Sequence, residues 1–234
     1  MKFKIINPDW GMTEEQMEQR CRILEDYTRH RVQLSMECLT QTKVSLDSLV
    51  DLVRAGPEIL KIAIRAELEG YDAVILYCFS DPVMEACRQA VSIPVVGAGQ
   101  AAYLLLPAVA YHGVLLAADQ NRIPEKMVSL SRTGLAADRI CGYEPVHARD
   151  LDPIEHRRQL KKELLKAGRR ALEHTDAQAL ILGCLSFLGL SEELSAELMV
   201  PVIDPGPASV CLAETLVCMH LRSSPKAYPP YPHF

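Results

Sequence analysis

One pattern occurs twice in this chain and restricts what the chain can fold into. Asp72-Ala73-Val74-Ile75-Leu76-Tyr77-Cys78 is a short, nearly continuous apolar run, preceded by Gly70 and closed by the polar turn Phe79-Ser80-Asp81-Pro82. Such a run reads as a strand buried on both faces. Further on, Ala179-Leu180-Ile181-Leu182-Gly183-Cys184 repeats it. The repeat continues past the cysteine: Pro94-Val95-Val96 follows Cys78 at nearly the distance at which Pro201-Val202-Ile203 follows Cys184. Asp81 suits a helix N-cap and Pro82 a first helical residue. Each cysteine is therefore expected where a strand's carboxyl end meets a helix amino end, the place where open α/β sheets bind ligands.

The rest of the chain alternates in the same way. Lys2 to Ile6 reads as a strand ending at Asn7-Pro8, and Thr13-Glu14-Glu15-Gln16 as a capping box opening a helix to about His30. Val32 to Cys38 is a second strand. Leu46 to Arg54 is helical, Gly56-Pro57 interrupts it, and Glu58 to Glu69 resumes it. After the Cys78 strand come a helix from Pro82 to Ala90 and a strand from Pro94 to Val96. The second half gives strands at His112 to Ala118 and Arg139 to Val146, with a helix from Pro124 to Thr133 between them, stopped by Gly134. A long helix opened by Asp152-Pro153 runs to about His174. A helix capped by Ser191 follows the Cys184 strand, then a strand from Val200 to Ile203 and a last helix from Ala208 to Leu221.

This order implies an α/β fold of two pseudo-symmetric lobes, each a mostly parallel sheet flanked by helices, with the active site in the cleft between them. Residues 1–105 plus 207–234 are expected to form lobe one, which carries Cys78, and 106–206 lobe two, which carries Cys184. The last helix is expected to return to lobe one.

Bulk properties exclude several classes. A formal charge of −5 gives no basis for nucleic-acid or anionic-membrane binding. The amino-terminal apolar run is too short for a signal peptide. Ala101 to Ala118 is interrupted by Pro107, His112 and Gly113, and reads as a short helix, a turn and a strand rather than a membrane span. A cytoplasmic protein with a small-molecule substrate is expected, and a homo-oligomer. None of the eight cysteines forms a CxxC pair and the histidines lack a metal-site spacing, so neither disulfides nor a metal is expected. Cys21, Cys38, Cys87, Cys141, Cys211 and Cys218 read as packing residues.

Cys78 and Cys184 differ through their placement. A thiol near a helix amino end has its thiolate stabilised, and free cysteine titrates at about 8.5, within reach of use as a base near neutral pH. Two such groups on opposite sides of one carbon can invert it: one thiolate takes a proton and the opposite thiol delivers one to the other face. That chemistry needs no cofactor, only a neighbouring carbonyl to spread the carbanion's charge and donors for its oxygen. Phe79, Ser80, Leu185 and Ser186, in the turns after the two cysteines, and Gly97, at the end of the following strand, are the expected substrate-binding residues.

Ile6-Asn7-Pro8, Cys78-Phe79-Ser80-Asp81-Pro82, Pro94-Val95-Val96-Gly97-Ala98-Gly99, Leu182-Gly183-Cys184 and Pro201-Val202-Ile203-Asp204 together resemble the aspartate/glutamate/hydantoin racemase superfamily, most of all its hydantoin racemase branch. The likeness runs over most of residues 1–221. It implies two α/β lobes around the substrate, Cys78 and Cys184 as the acid and base, and a substrate contact at Asn7. The chain departs from the branch at Asp9, where asparagine is usual, at Glu37 to Thr42, which stands near the place of a Ser-Ile-Glu element, and at Gln100, where glutamate often follows. The expected function is a cofactor-independent racemase or epimerase acting beside a carbonyl in an amino acid or hydantoin-like derivative. An isomerase or decarboxylase of small dicarboxylic acids on the same scaffold, or a non-catalytic ligand-binding homologue, stays open as an alternative.

Two further features are read as incidental. Gly97-Ala98-Gly99-Gln100-Ala101-Ala102 fits a dinucleotide-binding spacing, with Asp119 about where a ribose-binding acid would stand. Pro107 is expected to shorten the helix, however, and such a site leaves the cysteine repeat unexplained. We read these glycines as allowing a tight turn beside the ligand. The basic run from Arg157 to Arg170 reads as the solvated face of a helix.

Overall fold

Among the described residues, eight strands condense into two parallel sheets of the same topology. The computed structural model describes residues 1–46, 48–133, 137–148, 151–152 and 154–231. The first sheet contains β1 (Lys2–Asn7), β2 (Gln33–Cys38), β3 (Ala73–Leu76) and β4 (Val95–Gly97), in the order β2-β1-β3-β4. The second contains β5 (Gly113–Ala117), β6 (Ile140–Pro145), β7 (Ala179–Leu182) and β8 (Val202–Ile203), in the order β6-β5-β7-β8. Every pairing is parallel. The chain divides into two compact units, Met1–Ala98 with Ser209–Phe234, and Gly99–Ala208.

Helices cover the sheets because parallel strands expose apolar side chains on both faces. They are α1 (Glu14–Tyr27), α2 (Leu49–Leu68), α3 (Met84–Ala90), α4 (Ala98–Val109), α5 (Ile123–Thr133), α6 (Arg157–His174), α7 (Ser191–Leu198) and α8 (Pro205–Cys218). In the first unit Ile6, Val74 and Leu76 belong to one buried cluster with Ile59, Ile62, Ala63 and Ala66 of α2. In the second, Val114, Leu116, Leu180 and Leu182 cluster with Leu160, Leu164, Ala167 and Ala171 of α6. Fully burying one such leucine or isoleucine is worth about 1.5–3 kcal/mol, so these two helix faces are what hold each sheet. The opposite face of α6 carries the basic run, which is partly neutralised by neighbours: Lys161 pairs with Glu193 and Glu197, Arg157 with Glu193, and Arg170 with Glu144. Among the described residues no helix is long and apolar enough to cross a membrane.

Several boundaries differ from those expected. The Thr13–Gln16 capping box forms, but α1 ends at Tyr27, because Arg29 and His30 turn left-handed. Gly56-Pro57 does not interrupt the second helix: α2 starts at Leu49, capped by Ser48, and runs through both residues. Pro57 lies on the exposed face, and the carbonyl it cannot serve belongs to Val53, itself exposed to water. Pro107 likewise lies inside α4, which reaches Val109. Asp152 accepts from the backbone N–H groups of Ile154 and Glu155, capping a turn that precedes α6. Ser191 is the first residue of α7 and makes no cap; Leu190 occupies that position. Gly134 and Pro153 lie outside the described residues.

Candidate active site

In each sheet the first strand is flanked by the two that follow it, so a topological switch point lies beside it, at the carboxyl ends of β1 and β3 and of β5 and β7. Asn7 is the last residue of β1. The ladder goes one step past β3: the Tyr77 N–H donates to the Ile6 carbonyl at 2.8 Å. The next residue is Cys78. In the second unit the Gly183 N–H donates to the Leu116 carbonyl, also at 2.8 Å, and the next residue is Cys184. Each cysteine carbonyl then accepts from the residue three further on, Cys78 from Asp81 at 3.0 Å and Cys184 from Phe187 at 3.2 Å. The two thiols thus occupy equivalent positions, with Ser80 and Ser186 equivalent in the turns after them.

The surroundings of the two thiols differ. Cys78 is buried, at 9% exposure, as are Phe79 and Ser80. Cys184 is half-buried, with its Sγ 2.9 Å from the Ser186 hydroxyl, while Leu185 is buried. Tyr77 has Gly183 as its counterpart, where a Cβ would lie 2.7 Å from the Leu116 carbonyl oxygen. The expected helix amino ends are absent: α3 begins only at Met84 and α7 at Ser191, and a three-residue turn, Leu185–Phe187, follows Cys184. A helix dipole fades within its first turn, so the groups next to the thiols are turn amides and hydroxyls instead.

The Asp81–Val83 turn explains both why α3 starts late and why two glycines stand where they do. Asp81 is not an N-cap. Asp81 and Val83 both adopt left-handed backbone, φ 47° and 50°, at about 1–2 kcal/mol each for residues with a Cβ. Their side chains seat on glycine. A Cβ on Gly97 would lie 2.4 Å from the Asp81 carboxyl carbon, and one on Gly56 would lie 2.8 Å from Val83 Cγ1. Gly97 is therefore the floor beneath the Asp81 carboxylate. No tight turn follows it, for β4 ends at Gly97 and α4 begins at Ala98, and neither Gly97 nor Gly99 has a positive φ.

Three further polar groups organise the sheets' carboxyl edges; the sequence pointed to Asn7 through the family resemblance, but not to its partner Cys38 or to Glu58. Asn7 donates from Nδ2 to Cys38 Sγ at 3.2 Å, across the β1–β2 pairing that sets the two opposite each other. Glu58 of α2 accepts from the backbone N–H groups of Thr40, Gln41 and Thr42 at 2.7, 2.9 and 2.7 Å, fixing the loop after β2. Asp204, just past β8, accepts from the Gly189 and Gly206 N–H groups at 2.7 and 3.0 Å. Burial pushes its carboxyl up to about 6 against those two donors. The Asn7–Cys38 pair depends on strand register and the Glu58 nest on loop geometry, so neither has a local sequence signal. In unit one the structure groups Asn7, Cys78, Phe79, Ser80 and Gly97 at the carboxyl edge of the sheet, and in unit two Cys184, Leu185 and Ser186.

Paired four-stranded parallel sheets with a thiol at each switch point match a known architecture. The family model for Asp/Glu/Hydantoin racemase matches residues 5–213. A hydantoin racemase of Pseudomonas sp. (strain NS671) is 28% identical over 225 residues, covering 96% of this chain and 89% of that protein. One from Paenarthrobacter aurescens is 30% identical over 161 residues, 68% of each chain. Among solved structures, allantoin racemase from Klebsiella pneumoniae superposes with a TM-score of 0.84 at 21% identity, covering 100% of this chain and 95% of that one. The chain belongs to the Asp/Glu/Hydantoin racemase family. It is accordingly an isomerase of the racemase type.

Proposed function

We propose that this protein racemises a hydantoin-like cyclic ureide by a two-thiol, cofactor-free mechanism. The observation that carries the reading is the equivalence of Cys78 and Cys184, each one residue beyond a matched ladder bond and each with its carbonyl accepting from the residue three further on. Packing alone gives no reason for a thiol at both places. The hydantoin racemase relatives support the substrate class.

One cysteine, as thiolate, takes the proton from the ring carbon that bears the side chain. The C–H electron pair moves onto the adjacent ring carbonyl, giving an enolate, and donors in the turns at Ser80 and Ser186 oppose the charge on its oxygen. The other cysteine, as thiol, returns a proton to the opposite face, and the enolate collapses. The stereocentre is inverted, no atom is gained or lost overall, and the cysteines have exchanged protonation states. Asn7, beside Cys78 at the switch point, holds the ring.

Single enantiomers of a hydantoin with an apolar side chain, incubated with the protein in deuterated water, should lose optical activity while one deuterium enters at the stereocentre. Absence of both inversion and exchange, across hydantoins and free amino acids, would overturn the proposal.

A further inference from the structure

Asn7 is held by sulfur. Its side-chain nitrogen lies 3.2 Å from Cys38 Sγ and 4.0 Å from Met12 Sδ, and Cys38 Sγ lies 3.6 Å from Met17 Sδ. Asn7 and Cys38 are both buried, at 6% and 7% exposure. A thioether sulfur has lone pairs and no proton. The Cys38 S–H donates to Met17, which leaves the Cys38 sulfur as an acceptor toward Asn7. Burial pushes the Cys38 thiol up, which keeps that proton in place. Met12 can face only a donor, so the amide end turned toward it is the NH2. Both ends of the chain are protonless sulfurs, and hydrogen bonding runs one way, from Asn7 through Cys38 to Met17. A flipped carboxamide would set Oδ1 against the Met12 lone pairs and would draw the Cys38 S–H away from Met17. The Oδ1 atom accepts no hydrogen bond from any described residue, and it is the end of the amide left for a ligand.

We propose that Met12, Met17 and Cys38 lock the Asn7 carboxamide with its oxygen presented, making Cys38 a positioning residue that selects ligands offering an N–H over those offering an oxygen at the same point. This rests on the reading of the protein as acting on a hydantoin-like ring, and it assigns Oδ1 the ring N–H beside the stereocentre. A carboxylate or ring oxygen there would meet Oδ1 lone pair to lone pair.

Three proteins and two compounds test it. Cys38→Val removes the acceptor at similar volume, and Cys38→Ser keeps a group that both donates and accepts. The compounds are a hydantoin and the oxazolidinedione with the same side chain, in which ring oxygen replaces the N–H beside the stereocentre. The wild type and Cys38→Ser should favour the hydantoin in deuterium exchange. In Cys38→Val that preference should fall about tenfold, equivalent to about 1.4 kcal/mol, with most of the loss in KM for the hydantoin. A purely structural role would slow both compounds alike and leave the ratio unchanged, which would overturn the proposal. Independently of turnover, the wild type should show a nuclear Overhauser cross-peak between the Asn7 side-chain NH2 protons and the Met12 methyl group, lost or weakened in Cys38→Val. Its absence from the wild type overturns the lock. If the wild type exchanges neither compound, the hydantoin reading fails and the selectivity with it, while the cross-peak still decides the direction of the amide.

Discussion

Serine in place of either thiol keeps the side chain's shape and removes its usable acidity. Under the two-thiol mechanism a full inversion needs both groups, so Cys78→Ser and Cys184→Ser should each lower racemisation by roughly 10²–10⁴-fold in both directions. Half of the chemistry should survive in each. The remaining cysteine still exchanges the proton of the enantiomer it faces, without inverting it. Deuterium uptake by each enantiomer with each variant should therefore give a crossed pattern, one enantiomer per variant. Exchange of the same enantiomer by both variants would exclude the assignment. At this scale the sequence is informative where the determinant is local: the placement of Cys78 and Cys184 at strand ends follows from two short apolar runs. The Asn7–Cys38 bond is invisible there, because it spans 31 positions and exists only through the parallel register of β1 and β2. The tie between Gly97 and Asp81 is hidden for the same reason, since a glycine in the sequence does not say what presses on it.

Proline was the least dependable guide to the elements. Pro57 and Pro107 look like breaks yet lie inside α2 and α4, while Pro82, which looks like a helix start, sits in a left-handed turn before α3. Local steric rules fix what a proline forbids, and burial of the helix face decides whether the helix tolerates it. Glu58 shows what the continuous helix α2 achieves. Located one residue past Pro57, it reaches the three amides at Thr40, Gln41 and Thr42. Burial pushes its carboxyl up, but these backbone donors prevail and hold it below its ordinary value. With a depressed folded value, its stabilisation is present above about pH 4.5, the unfolded value, and is lost as pH falls through the lower folded one. Glu58→Gln should destabilise the protein by about 1–3 kcal/mol at neutral pH and flatten the acid limb of stability against pH. Urea unfolding midpoints of both proteins across an acid pH series would test this.

For the whole molecule, Glu58 and Asp204 are buried carboxylates that pull stability in opposite directions with pH. Asp204 has its folded value raised from 3.8 to about 6 by burial. The folded state therefore holds that proton more tightly than the unfolded chain does. The resulting stabilisation is complete below about pH 3.8 and is lost as pH rises through about 6. The loss amounts to about 3 kcal/mol, at 1.36 kcal/mol per pKa unit. Asp204→Asn should remove this decline, so that unfolding midpoints between pH 4 and 7 vary less in the variant than in the wild type. An unchanged slope would mean that Asp204 is already ionised at the lower pH.

The division of the chain has a consequence for the order in which it is made. The first unit consists of Met1–Ala98 and Ser209–Phe234, with Gly99–Ala208 inserted between them. Its closing contacts come from α8, where Glu214 pairs with Arg31 at 2.8 Å and Cys211 Sγ reaches the Tyr27 carbonyl. A ribosome adding roughly 5–20 residues per second therefore takes on the order of ten seconds between completing the first segment and delivering its missing helix. During that interval the part of the chain that carries Cys78 has left the ribosome unfinished, while the inserted unit is synthesised as one uninterrupted stretch. The nascent protein spends this time with its older half as its less complete one.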